Sequence, residues 1–254
     1  MRKPRTHLLI TDTQVKPGNN LNYIDWLGQY ILDKKPDVVN CIGDWWDMPS
    51  LSSYDKGKKS FEGRRYKKDI AAGYEAMCRL FAPMDKWNKR HRTAGYMPEL
   101  NFFLGNHEYR IQRAVDAQAE LEGTIGLEDL ALQQWGWTVH PFLKQACIDG
   151  VVYMHYFPSG PKGHPIGTAK GIINKYHQSA VCGHLQGRDI AYGKRADGTP
   201  ITAIIAGSYY PHDEDYLSPF TNNHWRGIYV FHEVRDGSFD EMPVSIEYLR
   251  RRYS

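Results

Sequence analysis

Between His7 and Ile42 two short apolar runs flank one stretch of helical spacing, and this alternation restricts the possible folds more than any other feature of the chain. HLLIT (7–11) reads as a buried strand. LNYIDWLGQYILDK (21–34) carries apolar residues at 24, 27 and 31, with more at 23, 26 and 30, which is the stripe of an amphipathic helix. Pro36 stops that helix, and DVVNCI (37–42) reads as the next buried strand. Strand, helix and strand in so short a span form a βαβ unit, so the sheet is at least partly parallel.

The remainder extends the same theme. Helical spacing is expected over 68–92, 108–121, 125–134 and 168–177, with LNFFL (100–104) as a third strand. From about 137 strands dominate. CIDGVVYMHY carries Asp149-Gly150, a hairpin turn signal. SAVCG, ITAIIAG and the pair RGIYVFHEV and SIEYL around RDGS follow. The order is that of an α/β domain with helices covering the outer faces of its sheet.

Composition narrows the class of protein. The 254 residues suffice for one substantial domain, and 41% apolar with 24% charged residues is ordinary for a globular chain. A net charge of +3 neither demands nor excludes nucleic acid. Cys41, Cys78, Cys147 and Cys182 show no CxxC spacing, which argues against a zinc knuckle or a small disulfide scaffold and for reduced thiols. The apolar stretch behind the basic N-terminus is too short for a secretory signal, and no run approaches a membrane span. A cytoplasmic protein is the expectation.

The polar residues are informative through their positions. Asp12 follows HLLIT, Asp44 follows DVVNCI and Gly43, and Asn106 and His107 follow LNFFL and Gly105. His155 ends VVYMH, and His184 follows SAVCG. Any one of these could be a turn residue or a helix cap. Together they place ligand-type side chains beyond the carboxyl ends of five strands, where α/β sheets build their sites. Gly43, Gly105 and Gly183, each just ahead of a candidate ligand, allow close backbone approach. With Gln14 and Gln186 the set offers oxygen and imidazole but no thiolate, which suits Mn²⁺, Mg²⁺, Fe or Zn²⁺.

The blocks DTQ (12–14), GDWWD (43–47), GNHE (105–108), His155 and GHLQ (183–186) resemble, in order, the pattern of the calcineurin-like metallophosphoesterase superfamily. That pattern runs D-x-H, G-D-x-x-D, G-N-H-E/D, a lone His, then G-H-x-H. The resemblance implies a four-layer α-β-β-α sandwich, two mixed sheets flanked by helices, in one domain covering residues 1–254. It implies two divalent metal ions, Mn²⁺ foremost. Asp44 would bridge them, Asn106, His155 and His184 would complete one position, and Asp12, Gln14 and Gln186 the other. His107 would be a catalytic residue beside the scissile phosphate, as general acid or charge stabiliser. A water activated by the metals would attack phosphorus in line.

The chain departs from the pattern at Gln14 and Gln186, where the family has His. An amide oxygen is a harder and weaker ligand than imidazole. The altered position either binds weakly, fills only with substrate, or marks a metal-bearing module that has lost catalysis.

For the substrate, Asp47 is followed by Met48 and Pro49, not by the Arg usual in phosphoprotein phosphatases, and GDWWDMPS resembles the matching block of repair-type exonucleases. An insert at about 50–95 opens with YDKGKKSFEGRRYKK (54–68), where Lys58, Lys59, Arg64 and Arg65 mix with Tyr54, Phe61 and Tyr66. Such a segment is either a solvated loop or a surface for DNA or RNA, through phosphate neutralisation and base stacking. Arg110 is either a phosphate ligand or a solvated helix residue. The leading expectation is a phosphodiesterase of nuclease type. The alternatives are a phosphomonoesterase acting on nucleotides or phosphoproteins, and a binding module.

Overall fold

The computed structural model describes residues 3–213 and 224–254. It is an α/β structure with two mixed sheets. The first sheet has the order β11-β10-β1-β2-β3-β4, from β1 (Arg5–Ile10), β2 (Val38–Cys41), β3 (Glu99–Phe103), β4 (Thr138–His140), β10 (Gly227–Arg235) and β11 (Ser238–Ser245). β1 to β4 run parallel, whereas β10 pairs antiparallel with both β1 and β11. The second sheet has the order β5-β6-β7-β9-β8, from β5 (Ala146–Ile148), β6 (Val151–Tyr153), β7 (Ala180–Cys182), β8 (Arg188–Lys194) and β9 (Pro200–Ala206).

Strand alternation sorts the core. Leu9, Val38 and Phe103 of the first sheet meet Val151, Tyr153, Val181 and Ile204 of the second. Leu8, Ile10, Val39, Cys41 and Phe102 face the other way, onto α1 (Asn22–Lys34), α2 (Tyr66–Arg90) and α5 (Ile246–Tyr253). Val152, Ala180, Cys182 and Ile205 pack on α4 (Ala169–Tyr176). The central strands are therefore buried on both faces, which is why they read as unbroken apolar runs.

Three expectations are corrected. The stretch 125–134 forms two 3₁₀ turns, Leu127–Leu130 and Leu132–Trp135, because Ala131 between them is left-handed at φ 50°. α3 (Arg110–Ala117) covers only part of 108–121 and is followed by a 3₁₀ turn, Ala119–Leu121. SIEYL opens helix α5 and is no strand: the Ser245 side chain caps that helix by accepting from the Tyr248 N–H. The strand partner of β10 is SFDEMPVS, and its Pro243 is tolerated because β11 lies at the sheet edge.

The insert also divides. Residues 66–90 form α2, whose Met77, Leu80 and Phe81 belong to the same cluster as α1 and the first sheet, so the helix is integral to the core. The basic and aromatic opening at 54–68 lies in the loop before α2 and its first turn. Among the described residues no helix is long and apolar enough to cross a membrane.

Candidate metal centre

The ends of β1, β2, β3, β6 and β7 lie at one edge of the two sheets, where the intervening loops are stitched together. The N–H groups of Thr13 and Gln14 donate to the Asp44 carbonyl at 3.1 and 2.9 Å. The His107 N–H donates to Asp44 Oδ1 at 3.0 Å, and the His184 N–H to Asp12 Oδ2 at 2.9 Å. Gln14, Asp44, His184 and Gln186 all hold positive φ, at 43°, 50°, 68° and 30°. Non-glycine residues resist this region, and such strain concentrates at sites that the surroundings over-determine. The glycines answer a demand for space: a Cβ on Gly105 would lie 2.1 Å from Asp44 Oδ1, and one on Gly183 would lie 2.4 Å from Asp12 Oδ1.

Asp44, His155 and His184 bring one ligand atom each to within 4.8 Å of one another. His155 Nδ1 lies 2.7 Å from the Ile42 carbonyl, which can only accept, so the proton sits on Nδ1 and the Nε2 lone pair faces the site. That Nε2 is 2.8 Å from Asn106 Oδ1 and 3.5 Å from Asp44 Oδ1. Neighbouring ligands on one cation, with bonds of about 2.1 Å, stand about 3.0–3.5 Å apart. The donor set therefore fits a divalent ion held by Asp44, His155, His184 and Asn106.

Electrostatics agree with that fit. Burial pushes the Asp44 carboxyl up, but His107, His155 and His184 outweigh it and hold it below the usual range. Asp12 moves the other way, raised by burial and by the nearby Asp44. Burial, reinforced by His155, lowers His184 to about 4, and burial also lowers His155, which favours the neutral, ligating form of each ring. Asp12 Oδ1 and both amide atoms of Gln14 are buried without a hydrogen-bond partner among the described residues.

His107 lies beside this group, with Nε2 3.8 Å from Asp44 Oδ2 and Nδ1 3.2 Å from Asp47 Oδ1. Burial opposes its protonation, yet Asp44 and Asp47 raise it overall. Arg110 is not a solvated helix residue, since its side chain is only 12% exposed. Its guanidinium donates to the carbonyls of Asp47 and Met48 at 2.7 and 3.2 Å and lies 3.0 Å from His107 Nε2.

Glu108 has a part that motif reading missed. It accepts the backbone N–H groups of Asp44, Trp46 and Gly105 at 3.0, 3.0 and 2.8 Å, tying the GDWWD loop to the GNHE loop. Burial and Asp44 push its carboxyl up to about 7. Trp45 and Trp46 anchor the same loop under α2.

Several other expected residues have partners of their own. Gln186 Oε1 accepts the hydroxyl of Tyr210. Arg64 is committed inside the loop, donating to the Pro49 carbonyl at 3.0 Å and to Asp55 at 2.7 Å. Lys58, Lys59 and Arg65 are exposed, although Lys58 pairs with Asp55 at 3.3 Å. Tyr54 is 81% exposed, whereas the Tyr66 hydroxyl is bound to Asp129.

No family model matches the chain. The "Gene 54 protein" of Mycobacterium phage D29 is similar to it, 27% identical over 191 residues, which span 72% of this chain and 69% of that protein. Among solved structures, TT1561 of Thermus thermophilus matches over 94% of this chain and 99% of its own, at 10% identity and a TM-score of 0.31. A second structure matches over 95% and 100%, at 12% identity and a TM-score of 0.36. At these scores neither structure carries an argument about this chain.

Proposed function

We propose that the protein is a metal-dependent phosphoesterase of the calcineurin-like kind, acting on phosphodiesters of nucleic-acid type. The observation that carries this reading is the convergence of Asp44, His155 and His184, with Asn106 against His155, beside a His107 held by Asp47 and Arg110. The two sheets facing each other, with α1, α2 and α5 on one outer face and α4 on the other, support the four-layer α-β-β-α arrangement that goes with it. We place the protein in a reducing compartment, the cytoplasm, where its four free cysteines are at home.

Divalent ions, Mn²⁺ foremost, would supply an activated water and neutralise charge on the phosphate. The chain's own groups do the rest. Asp44 orients the centre from a strained backbone that the Glu108 bonds hold in place. The His107 imidazole, drawn toward protonation by Asp44 and Asp47, can carry positive charge or a proton toward the leaving oxygen. Lys58, Lys59 and Arg65 offer exposed charge to the flanking phosphates of a strand.

The test is hydrolysis of bis-nitrophenyl phosphate and of nitrophenyl phosphate with Mn²⁺, using Asp44→Asn as control. Diester turnover that Asp44→Asn abolishes is expected. Dominant monoester turnover would point to a phosphatase, and turnover of neither would sink the diesterase reading. Neutralising Lys58, Lys59 and Arg65 together should weaken single-stranded DNA or RNA binding and flatten its salt dependence, leaving the nitrophenyl diester unaffected. Unchanged nucleic-acid affinity would remove the loop from the substrate surface.

A further inference from the structure

We infer that the two cation positions of this centre are chemically unequal. One is a nitrogen-containing position built from Asp44, His155, His184 and Asn106. The other is an oxygen-only position built from Asp12, Gln14 and Asp44, which takes hard divalent cations such as Mg²⁺ or Mn²⁺ and exchanges them readily. The inference rests on the metal-dependent reading above and deepens it by dividing the ions between named residues.

Three observations meet at the second position. Asp12 and Gln14 are both fully buried, yet Asp12 Oδ1, Gln14 Oε1 and Gln14 Nε2 have no hydrogen-bond partner among the described residues. A buried carboxylate oxygen and, two residues on, a buried amide oxygen, both without a partner among the described residues, are donors wanting a cation. Asp12 Oδ1 also has its space kept clear by Gly183, since a Cβ there would come within 2.4 Å. Gln186, by contrast, is already employed: its Oε1 takes the hydroxyl of Tyr210, a fully buried residue. Oε1 is the only ligating atom of a Gln side chain, and the Tyr210 hydroxyl competes with any cation for it.

The two glutamines therefore have different parts. Gln14 is a ligand of oxygen type, and Gln186 is fixed to the wall by Tyr210. The position they share loses nitrogen altogether. Borderline ions such as Zn²⁺ favour imidazole, while Mg²⁺ and Mn²⁺ accept oxygen ligands and keep waters in the rest of the shell. Zn²⁺ or Mn²⁺ should thus be retained beside His155 and His184, while the Asp12 side follows the free concentration of a hard cation.

The experiment reads metal binding without turnover. Chelator-stripped protein is titrated with Mn²⁺, and bound and free ion are separated by electron paramagnetic resonance. Metal content after desalting from Zn²⁺ plus excess Mg²⁺ is measured in parallel. One Zn²⁺ per chain should survive desalting, and a second Mn²⁺ should bind on the order of 100-fold more weakly than the first. Mg²⁺ should displace the weak Mn²⁺ alone. Gln14→Ala should weaken the second class further, and Gln186→Ala should leave it within about twofold. Two Mn²⁺ of equal affinity in the wild type would overturn the inference, as would a tenfold loss of the second ion in Gln186→Ala. Protein that binds no ion would overturn both this inference and the proposed function. One tight and one weak ion without hydrolysis of any ester would leave the inference standing and remove the function.

Discussion

Glu108 shows how a single side chain can hold a site together without touching what the site binds. Its two oxygens receive three backbone N–H groups from two loops, so the positions of Asp44 and Asn106 depend on it. In Glu108→Gln one amide oxygen can still serve the Asp44 and Gly105 N–H groups, but the amide nitrogen would face the Trp46 N–H, donor against donor. The expected cost is about 1–3 kcal/mol. That is a fall in Tm of roughly 2–12 °C for a chain of this size, read by thermal unfolding of the metal-free protein. An unchanged Tm would deny Glu108 this role. The ligand-type residues Asp44, His155 and His184 were legible because glycine and strand end flag them. Glu108 was not, because two of its three partners are main-chain atoms of a loop more than sixty residues away. The place of Arg110 had a faint signal: three residues after His107, at the start of a helix, it lies one turn on and on the same face.

Among the elements, α2 is the one whose sequence misleads. Its basic, aromatic opening marks an insert, yet its middle is core. Gly73 is the key residue, since a Cβ there would fall 1.7 Å from Trp46 Nε1. Helix propensity alone favours Gly73→Ala by about 1 kcal/mol. The collision with a fully buried indole costs more, so the variant is expected to be less stable by about 1–3 kcal/mol, and the shift of Trp46 should pass into the loop carrying Asp44 and Asp47. Urea unfolding gives the sign, and a stabilised Gly73→Ala would show that Trp46 can move at no cost. The same logic explains the misreading of SIEYL. Its β-type residues suit a strand, but Ser245 supplies a cap, and the cap decides. β4 and β8 went unread because a three-residue strand has no period and β8 has no fully buried residue.

Across the whole molecule the two sheets are tied by a buried polar link as well as by apolar contact. His7 of β1 bonds the Tyr153 hydroxyl of β6 at 2.8 Å and Asp149 of the β5–β6 turn at 2.9 Å, and Arg5 joins Asp149 at 2.6 Å. Burial lowers His7 below its ordinary value of 6.5, although Asp149 opposes the shift. The unfolded chain then binds more protons than the folded one as pH falls through that value, so the stability due to His7 is complete above it and is lost below. Burial pushes Asp149 up, but its bonds to Arg5 and His7 prevail and hold it below 3.8, so its contribution is likewise lost toward acid, further down. The urea midpoint should fall between pH 7.5 and 5.5, and His7→Gln should flatten part of that slope; an equal slope in both proteins would refute the link. The parallel order of β1 to β3 was readable from the βαβ spacing. The pairing of β1 with β10 was not, since nothing local in either strand names a partner so distant.

That pairing bears on the order in which the chain can assemble during synthesis. β1 leaves the ribosome long before its antiparallel neighbour, which lies at 227–235. Until those residues emerge, one flank of the sheet that carries Asp12 has free main-chain donors and acceptors. The nascent chain must keep that edge from joining a neighbour on the same message. Contacts of such long sequence separation close late and slowly, so the site becomes complete only when almost all of the described chain has been made.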